Sequence, residues 1–193
     1  MKVFGLTGGI GMGKSAAAQW LRRRGVPIAD TDLLARQIVE PGQPALREIQ
    51  RAFGDLVITP DGRLRRDNLA RIVFADAAAR RTLEGITHPR IRELWLHQLE
   101  DWRAQQHPHA VVVIPLLFET NAETELDATI CVACSAATQR ARLLDRGLKS
   151  EEIEGRIAAQ WPIEQKMAKA DHVVWAEGGL DVLAEQLERI WKW

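Results

Sequence analysis

The sequence predicts an α/β protein, a five-stranded parallel sheet covered by helices on both faces, and three observations carry that prediction. Short apolar runs alternate with stretches of helical periodicity along the 193 residues, the pattern of strands buried on both faces with crossover helices between them. The first run leads into a glycine-rich stretch, "GLTGGIGMGKS" from Gly5 to Ser15, in which Gly8, Gly13, Lys14 and Ser15 satisfy the spacing G-x-x-x-x-G-K-[ST]. Composition agrees, since 46% hydrophobic and 27% charged residues are those of an ordinary core-bearing chain of one domain, residues 1–193.

The elements follow in order. Val3, Phe4 and Leu6 form a short buried strand, and Ala16, Ala17, Trp20 and Leu21 recur at helical spacing after the glycines. Arg22, Arg23 and Arg24 fall in the last turn of that helix, Gly25 takes the left-handed position beyond it, and Pro27 prevents continuation. "VPIAD", Val26 to Asp30, reads as the second strand. Between Asp32 and Ala110 the chain shows helical periodicity without a good strand, which marks an insertion on the sheet scaffold, residues 33–107. Its helices include "PALREIQRAFG", with Leu46, Ile49 and Phe53 on one face, and "PRIRELWLHQLEDW", with Ile91, Leu94, Trp95, Leu99 and Trp102 on one face and Pro89 at the first helical position. "AVVVIPLLF" (Ala110 to Phe118), "ATICVA" (Ala128 to Ala133) and "HVVW" (His172 to Trp175) complete the strands, and "DVLAEQLERIW" packs Leu183, Leu187 and Ile190 on the sheet. The core is thus expected over residues 1–32, 108–138 and 168–193, with a helical segment over 139–167.

Charge and composition exclude several classes. Lys plus Arg and Asp plus Glu both number 26, so the chain lacks the basic excess of a general binder of nucleic acid or anionic membrane. The nine-residue run Ala110 to Phe118 is too short to cross a bilayer, and the N-terminus, reaching its glycines by Gly5, does not read as a signal peptide. A cytoplasmic protein is expected, with neither nucleic acid nor membrane as partner; the sequence does not set the oligomeric state, a monomer being favoured. Cys131 and Cys134 have the C-x-x-C spacing of redox or zinc sites, but an offset of three along a strand puts the side chains on opposite faces, and no second Cys/His pair is spaced to complete a metal site. They are expected to be core and strand-end residues.

The glycine-rich stretch carries chemistry. Glycine is costly to order and is used where a backbone turns tightly or meets something closely. Here strand, loop and helix N-terminus occur together, so the loop amides and the positive helix end can wrap a triphosphate. Lys14 would reach the β and γ phosphates and the Ser15 hydroxyl would ligate Mg²⁺. Asp30 and Asp32 sit just past the second strand, where open α/β sheets carry their chemistry. Either carboxylate can orient an attacking hydroxyl and take its proton, or approach Mg²⁺ through water, while one of the two can instead cap the following helix. From Arg63 to Arg92 eight arginines face three acids, a net +5 that suits a phosphate-bearing substrate. A second cluster follows the fourth strand: Ser135 caps a helix carrying Arg140, Arg142 and Arg146, Gly147 ends it, and Ser150 with Glu151 and Glu152 starts another carrying Arg156 and Gln160. An arginine-rich helical hairpin beyond a phosphate loop reads as a lid that excludes water and brings positive charge to a transferring phosphoryl group.

These stretches together resemble one family, the dephospho-coenzyme A kinases, over nearly the whole chain. "TGGIGMGKS", "DTDLLAR", "EPG" at Glu40 to Gly42, "GRLRRDNLARIVF", "THPRI", "IPLLFE", "TQRARLLDR" and "RIAAQ" are similar to that family's motifs, several of them within the insertion. The resemblance implies a P-loop kinase fold and ATP-dependent phosphorylation of the ribose 3′-hydroxyl of dephospho-CoA. It implies that the loop from Gly8 through Gly9, Ile10, Gly11, Met12 and Gly13 to Lys14, Ser15 and Ala16 binds ATP together with Arg142. Asp32, Lys14, Arg142 and Arg146 are implied to be catalytic, Asp32 as the base. Thr7, Asp32, Arg66, His88 and the Pro115, Leu116 and Leu117 segment would border the acceptor. Ala16 stands where threonine commonly follows the loop serine, removing a hydroxyl contact to the α-phosphate, and Gly147 stands where the family often has aspartate. Ala176 occupies the family's usual asparagine position after the last strand, so that recognition of the adenine edge would fall to backbone groups.

The competing readings are a kinase of another nucleotide or small hydroxylated metabolite, a GTP switch and a P-loop ATPase. No N-K-x-D base-reading motif follows any strand, and "VVVIP" ends in Pro115 where an ATPase strand would end in an acid.

Overall fold

The computed structural model describes residues 1–191 and divides into two compact units, Met1–Ala29 with the chain from Trp102 on, and Asp30–Asp101. In the first unit, β1 (Lys2–Gly8) is central. It pairs in parallel with β3 (His109–Val113) on one side and β4 (Ala128–Ala133) on the other, with Leu6 opposite Val113 and Ile130. β2 (Ile28–Asp30) lies outside β3 and β5 (His172–Trp175) outside β4, giving the order β2-β3-β1-β4-β5. The near-continuous burial of β1 and β4 is that of parallel strands covered on both faces. α1 (Lys14–Arg23) buries Ala17, Ala18 and Leu21, and α9 (Leu180–Ile190) buries Leu183 and Leu187, against Phe4, Leu6, Val111, Ile130, Val132 and Val174. Gly25, with φ of 78°, follows α1 as expected.

Two strands are shorter than the sequence suggests, for one reason. Pro27 and Pro115 have no N–H to give a ladder, so β2 begins after the first and β3 ends before the second. Pro27 still contributes its carbonyl, which accepts from Val111 N–H at 3.0 Å. Beyond Pro115 the chain turns instead of continuing, with Thr120 N–H donating to the Leu116 carbonyl. Cys131 lies within β4, and Cys134, just past it, packs with Ala133 and Met12; both are buried and free, as expected of core residues. Two aspartates anchor strand starts: Asp127 Oδ2 accepts from Val3 N–H at 2.7 Å, and Asp171 Oδ2 accepts from Thr129 N–H and Oγ1 at 2.8 and 2.7 Å.

After β4 the chain forms α6 (Ala136–Asp145), α7 (Ser150–Ala158) and α8 (Ile163–Lys169). Ser135 accepts from Thr138 N–H and caps α6, and Gly147, at φ of 81°, follows its end. An ion pair between Arg140 and Glu154 ties α6 to α7. Gln160 corrects the expectation that it rides on the second helix: α7 ends at Ala158, and Gln160 lies in the turn before Pro162.

The second unit contains α2 (Thr31–Gln37), α3 (Pro44–Phe53) and α4 (Arg66–Ala75), followed by α5 (Ala77–Ala104). Ile38, Val39, Leu46, Ile49, Val57 and Leu69 form its core. The expected helix start at Pro89 is corrected: α5 begins at Ala77, where Asp76 Oδ1 accepts from Ala78 N–H at 2.7 Å, and Pro89 is internal. The hydrogen bond that Pro89 cannot make is the one to Gly85, and both residues are exposed, so water can serve that carbonyl. The next residue, Arg90, donates its guanidinium to the Ile86 carbonyl at 2.6 Å and pairs with Glu48 at 2.7 Å.

Candidate active site

The loop after β1 is built by steric necessity. A Cβ on Gly8, where φ is +142°, would lie 2.1 Å from the Val132 carbonyl oxygen, so only glycine lets β1 end against β4. Gly13, at φ of 106°, is the N-cap of α1, and no side chain caps that helix. An uncapped helix start preceded by glycine backbone is a place where an anion can meet amides and the positive end of the helix dipole. The Lys14 ammonium is held in the same loop, donating to the carbonyls of Gly8 and Gly9 at 2.8 and 2.9 Å. Ser15 is exposed in the first turn, Ala16 is half-buried behind it, and the Met12 side chain is buried against Ala133 and Cys134. Met12 therefore offers the loop interior its backbone.

Arg142 is brought to this loop. Its guanidinium donates to the Ala176 carbonyl at 2.7 Å, and Nη1 lies 3.7 Å from where a Gly13 Cβ would be. Arg146, the C-cap residue of α6, is exposed. The Ala176 carbonyl is thus engaged by the arginine, while neighbouring Glu177 receives hydrogen bonds from the Thr138 hydroxyl and from Ser135 N–H and hydroxyl, which hold its carboxyl below the usual range. These contacts fix the segment after β5 against the start of α6.

Ile10 is gripped from two sides. Its N–H donates to Gln160 Oε1 at 2.9 Å, and its carbonyl accepts from Gln139 Nε2 at 2.7 Å. Nearby, the buried Thr7 hydroxyl donates to the Pro115 carbonyl at 3.2 Å, placing β1 beside the Pro115, Leu116 and Leu117 turn. The same carbonyl accepts from Lys166 Nζ at 2.8 Å, and Lys166, 0% exposed, pairs with Glu119 at 2.7 Å. Glu119 also accepts from Trp161 N–H at 2.9 Å.

The remaining expected residues lie in the second unit. Asp30 is the N-cap of α2, its Oδ1 accepting from Asp32 N–H at 3.0 Å; Asp32 is exposed in the first turn of that helix. Arg66 is the first residue of α4 and His88 lies within α5, both exposed. Among the arginines of that stretch, Arg90 is engaged by Glu48, Arg63 by Asp61 at 3.1 Å and Arg71 by Asn68 at 2.5 Å, which assigns three of the eight to local structure.

Sequence reasoning placed Gln160 on a lid helix without assigning it a contact, and passed over Gln139, Lys166 and Glu119 as participants. The available signal was polarity on an otherwise buried face: Gln139 lies one helical turn before buried Leu143, and Lys166 is the buried residue of α8.

Magnesium ion is implied by this loop, and the residues present fit it. Mg²⁺ needs few protein ligands beside phosphate oxygens and water, and Ser15 presents an exposed hydroxyl at the helix start.

Fold and loop define a nucleotide-binding protein of the P-loop kinase class. The family model described as dephospho-CoA kinase matches residues 2–181. A dephospho-CoA kinase of Anaeromyxobacter dehalogenans is 48% identical over 98% of this chain and 90% of its own. A solved protein of Thermus thermophilus matches with a TM-score of 0.87 and 35% identity, covering 98% of this chain and 95% of the other. The dephospho-CoA kinase of Campylobacter jejuni matches at 0.73 and 26%, covering 100% and 96%. The chain belongs to the dephospho-CoA kinase family.

Proposed function

We propose that this protein, acting in the cytoplasm, transfers the γ-phosphoryl group of ATP to the ribose 3′-hydroxyl of dephospho-CoA, giving coenzyme A and ADP. The observation that carries the reading is the loop from Gly8 to Ser15 with Arg142 beside it, on a chain of this family. The backbone amides from Gly8 to Ala16 and the N-terminus of α1 receive the phosphates, and Lys14 leaves the Gly8 and Gly9 carbonyls for the β and γ oxygens. Ser15 would hold Mg²⁺, with Asp30 or Asp32 able to reach it through water, and the ion would neutralise charge developing on the phosphate oxygens.

Asp32 serves as the base. Asp30 is committed to capping α2, which favours Asp32 for orienting the 3′-hydroxyl and accepting its proton. The freed oxygen attacks the γ phosphorus, the bond to the β,γ-bridging oxygen breaks, and ADP leaves. Arg142 and Arg146 bring positive charge to the transferring group from the α6–α7 hairpin, which acts as a lid. Thr7, the Pro115 to Leu117 turn, Arg66 and His88 border the acceptor, the last two on a helical segment spanning 33–107 that receives the CoA portion.

The test is a coupled assay with ATP, Mg²⁺ and dephospho-CoA, with the phosphorylated position established by NMR. ADP release with new phosphate on the 3′-oxygen is expected. Turnover only with a different nucleotide or hydroxylated metabolite would replace the acceptor while keeping the phosphoryl-transfer reading.

A further inference from the structure

We propose that Gln139 and Gln160 are positioning residues that set the phosphate-loop conformation by clamping Ile10, and so tie nucleotide affinity to the α6–α7 hairpin. The inference rests on reading Gly8 to Ser15 as the triphosphate cradle. The Ile10 N–H belongs to the peptide plane shared with Gly9, and its carbonyl to the plane shared with Gly11. Holding the first at 2.9 Å and the second at 2.7 Å fixes both backbone dihedrals of Ile10. The loop needs such a device because it is glycine-rich: Gly11 and Gly13 adopt φ of +75° and +106°. A loop that must be ordered at binding weakens affinity, whereas one held in place does not.

Each glutamine is chemically suited to its half. The Ile10 carbonyl can only accept and the Ile10 N–H can only donate, so the partners settle which end of each amide faces the loop. Gln139 is buried on α6, one turn from Leu143, and its Nε2 lies 3.2 Å from where a Gly9 Cβ would be, so the loop packs directly against it. Gln160 follows α7, which is tied to α6 by Arg140 and Glu154. The two bonds therefore arrive from α6 and from the turn that follows α7, across 129 and 150 residues of sequence.

The opposed roles give opposed responses to one substitution. Glutamate keeps the acceptor of Gln160 and destroys the donor of Gln139. In the whole protein, Gln160→Leu is expected to speed exchange of the Ile10 amide. It should raise the calorimetric Kd for ADP and the KM for ATP roughly three- to tenfold, the worth of one such hydrogen bond. The KM for dephospho-CoA should stay near wild type. Gln160→Glu should retain Ile10 protection, and Gln139→Glu should weaken ADP binding. If Gln139→Glu fails to fold, the Gln160 variants decide alone. Unchanged Ile10 exchange in Gln160→Leu, or lost protection with an unchanged ADP Kd, overturns the proposal. Lys14→Ala separates it from the cradle reading: ADP binding equal to wild type in that variant refutes the cradle, whereas weakened binding there with unaffected binding in Gln160→Leu refutes the clamp only.

Discussion

Asp30 and Asp32 are two residues apart, and their backbone settings divide the work between them. Asp30 has extended backbone and accepts the Asp32 N–H, whereas Asp32 is already helical and exposed. Asp32→Asn preserves size and hydrogen bonding but not proton acceptance, so kcat should fall about 10²-fold or more while dephospho-CoA binding changes much less. Asp30→Asn should lose much less activity, because asparagine caps a helix nearly as well as aspartate. Steady-state kinetics with direct binding of dephospho-CoA check both, and the opposite ranking would move the base to Asp30. The pair was visible in the sequence because its meaning follows from its place after a strand. Gln139, Gln160 and Lys166 showed at most as polar residues beside buried ones, because the partner through which each matters lies 47 to 150 residues away.

α8 illustrates the same point for elements. Its Ile163 and Met167 pack against Met12, Ala133 and Cys134, yet the residue it buries fully is Lys166, made tolerable by Glu119 and the Pro115 carbonyl. Lys166→Met should leave the Glu119 carboxylate buried with only the Trp161 N–H, destabilising the protein by about 3–5 kcal/mol. The double variant Lys166→Met, Glu119→Leu should recover part of that loss, since an apolar pair leaves no charge unpaired. Urea denaturation measures both; a loss below about 1 kcal/mol in the single variant would mean that the pair is solvated. Element type was legible almost throughout, because strand burial and helix caps are local. Element ends were less so, and prolines explain the misses in both directions. Pro115 ended a strand that apolar content alone would have extended to Phe118, and Pro89 failed to start a helix because Asp76, thirteen residues earlier, already capped one, on whose exposed face Pro89 is tolerated.

For the molecule as a whole, pH should act through the thiols at the alkaline end, because the chain contains no tyrosine to titrate there. Cys131 sits in β4 between β1 and β5, and burial pushes its thiol up from 9.0 to about 11. The folded state thus keeps a proton that the unfolded chain gives up sooner. The sign follows: the contribution is fully present below pH 9, where the thiol is protonated in both states, and is lost as pH rises through about 11. Two pH units correspond to at most about 2–3 kcal/mol. Cys134 is shifted in the same direction by burial and adds to the same limb. Cys131→Ala lowers stability at every pH by leaving a small cavity, but it removes the titrating group. Urea denaturation under reducing conditions at intervals from pH 8 to 11 should therefore show the wild type losing stability faster than the variant, so that the two curves converge. Lysine titration is common to both proteins and cancels in the difference. Parallel curves would mean that the Cys131 thiolate forms without cost in the folded sheet, and that β4 opens to water at high pH.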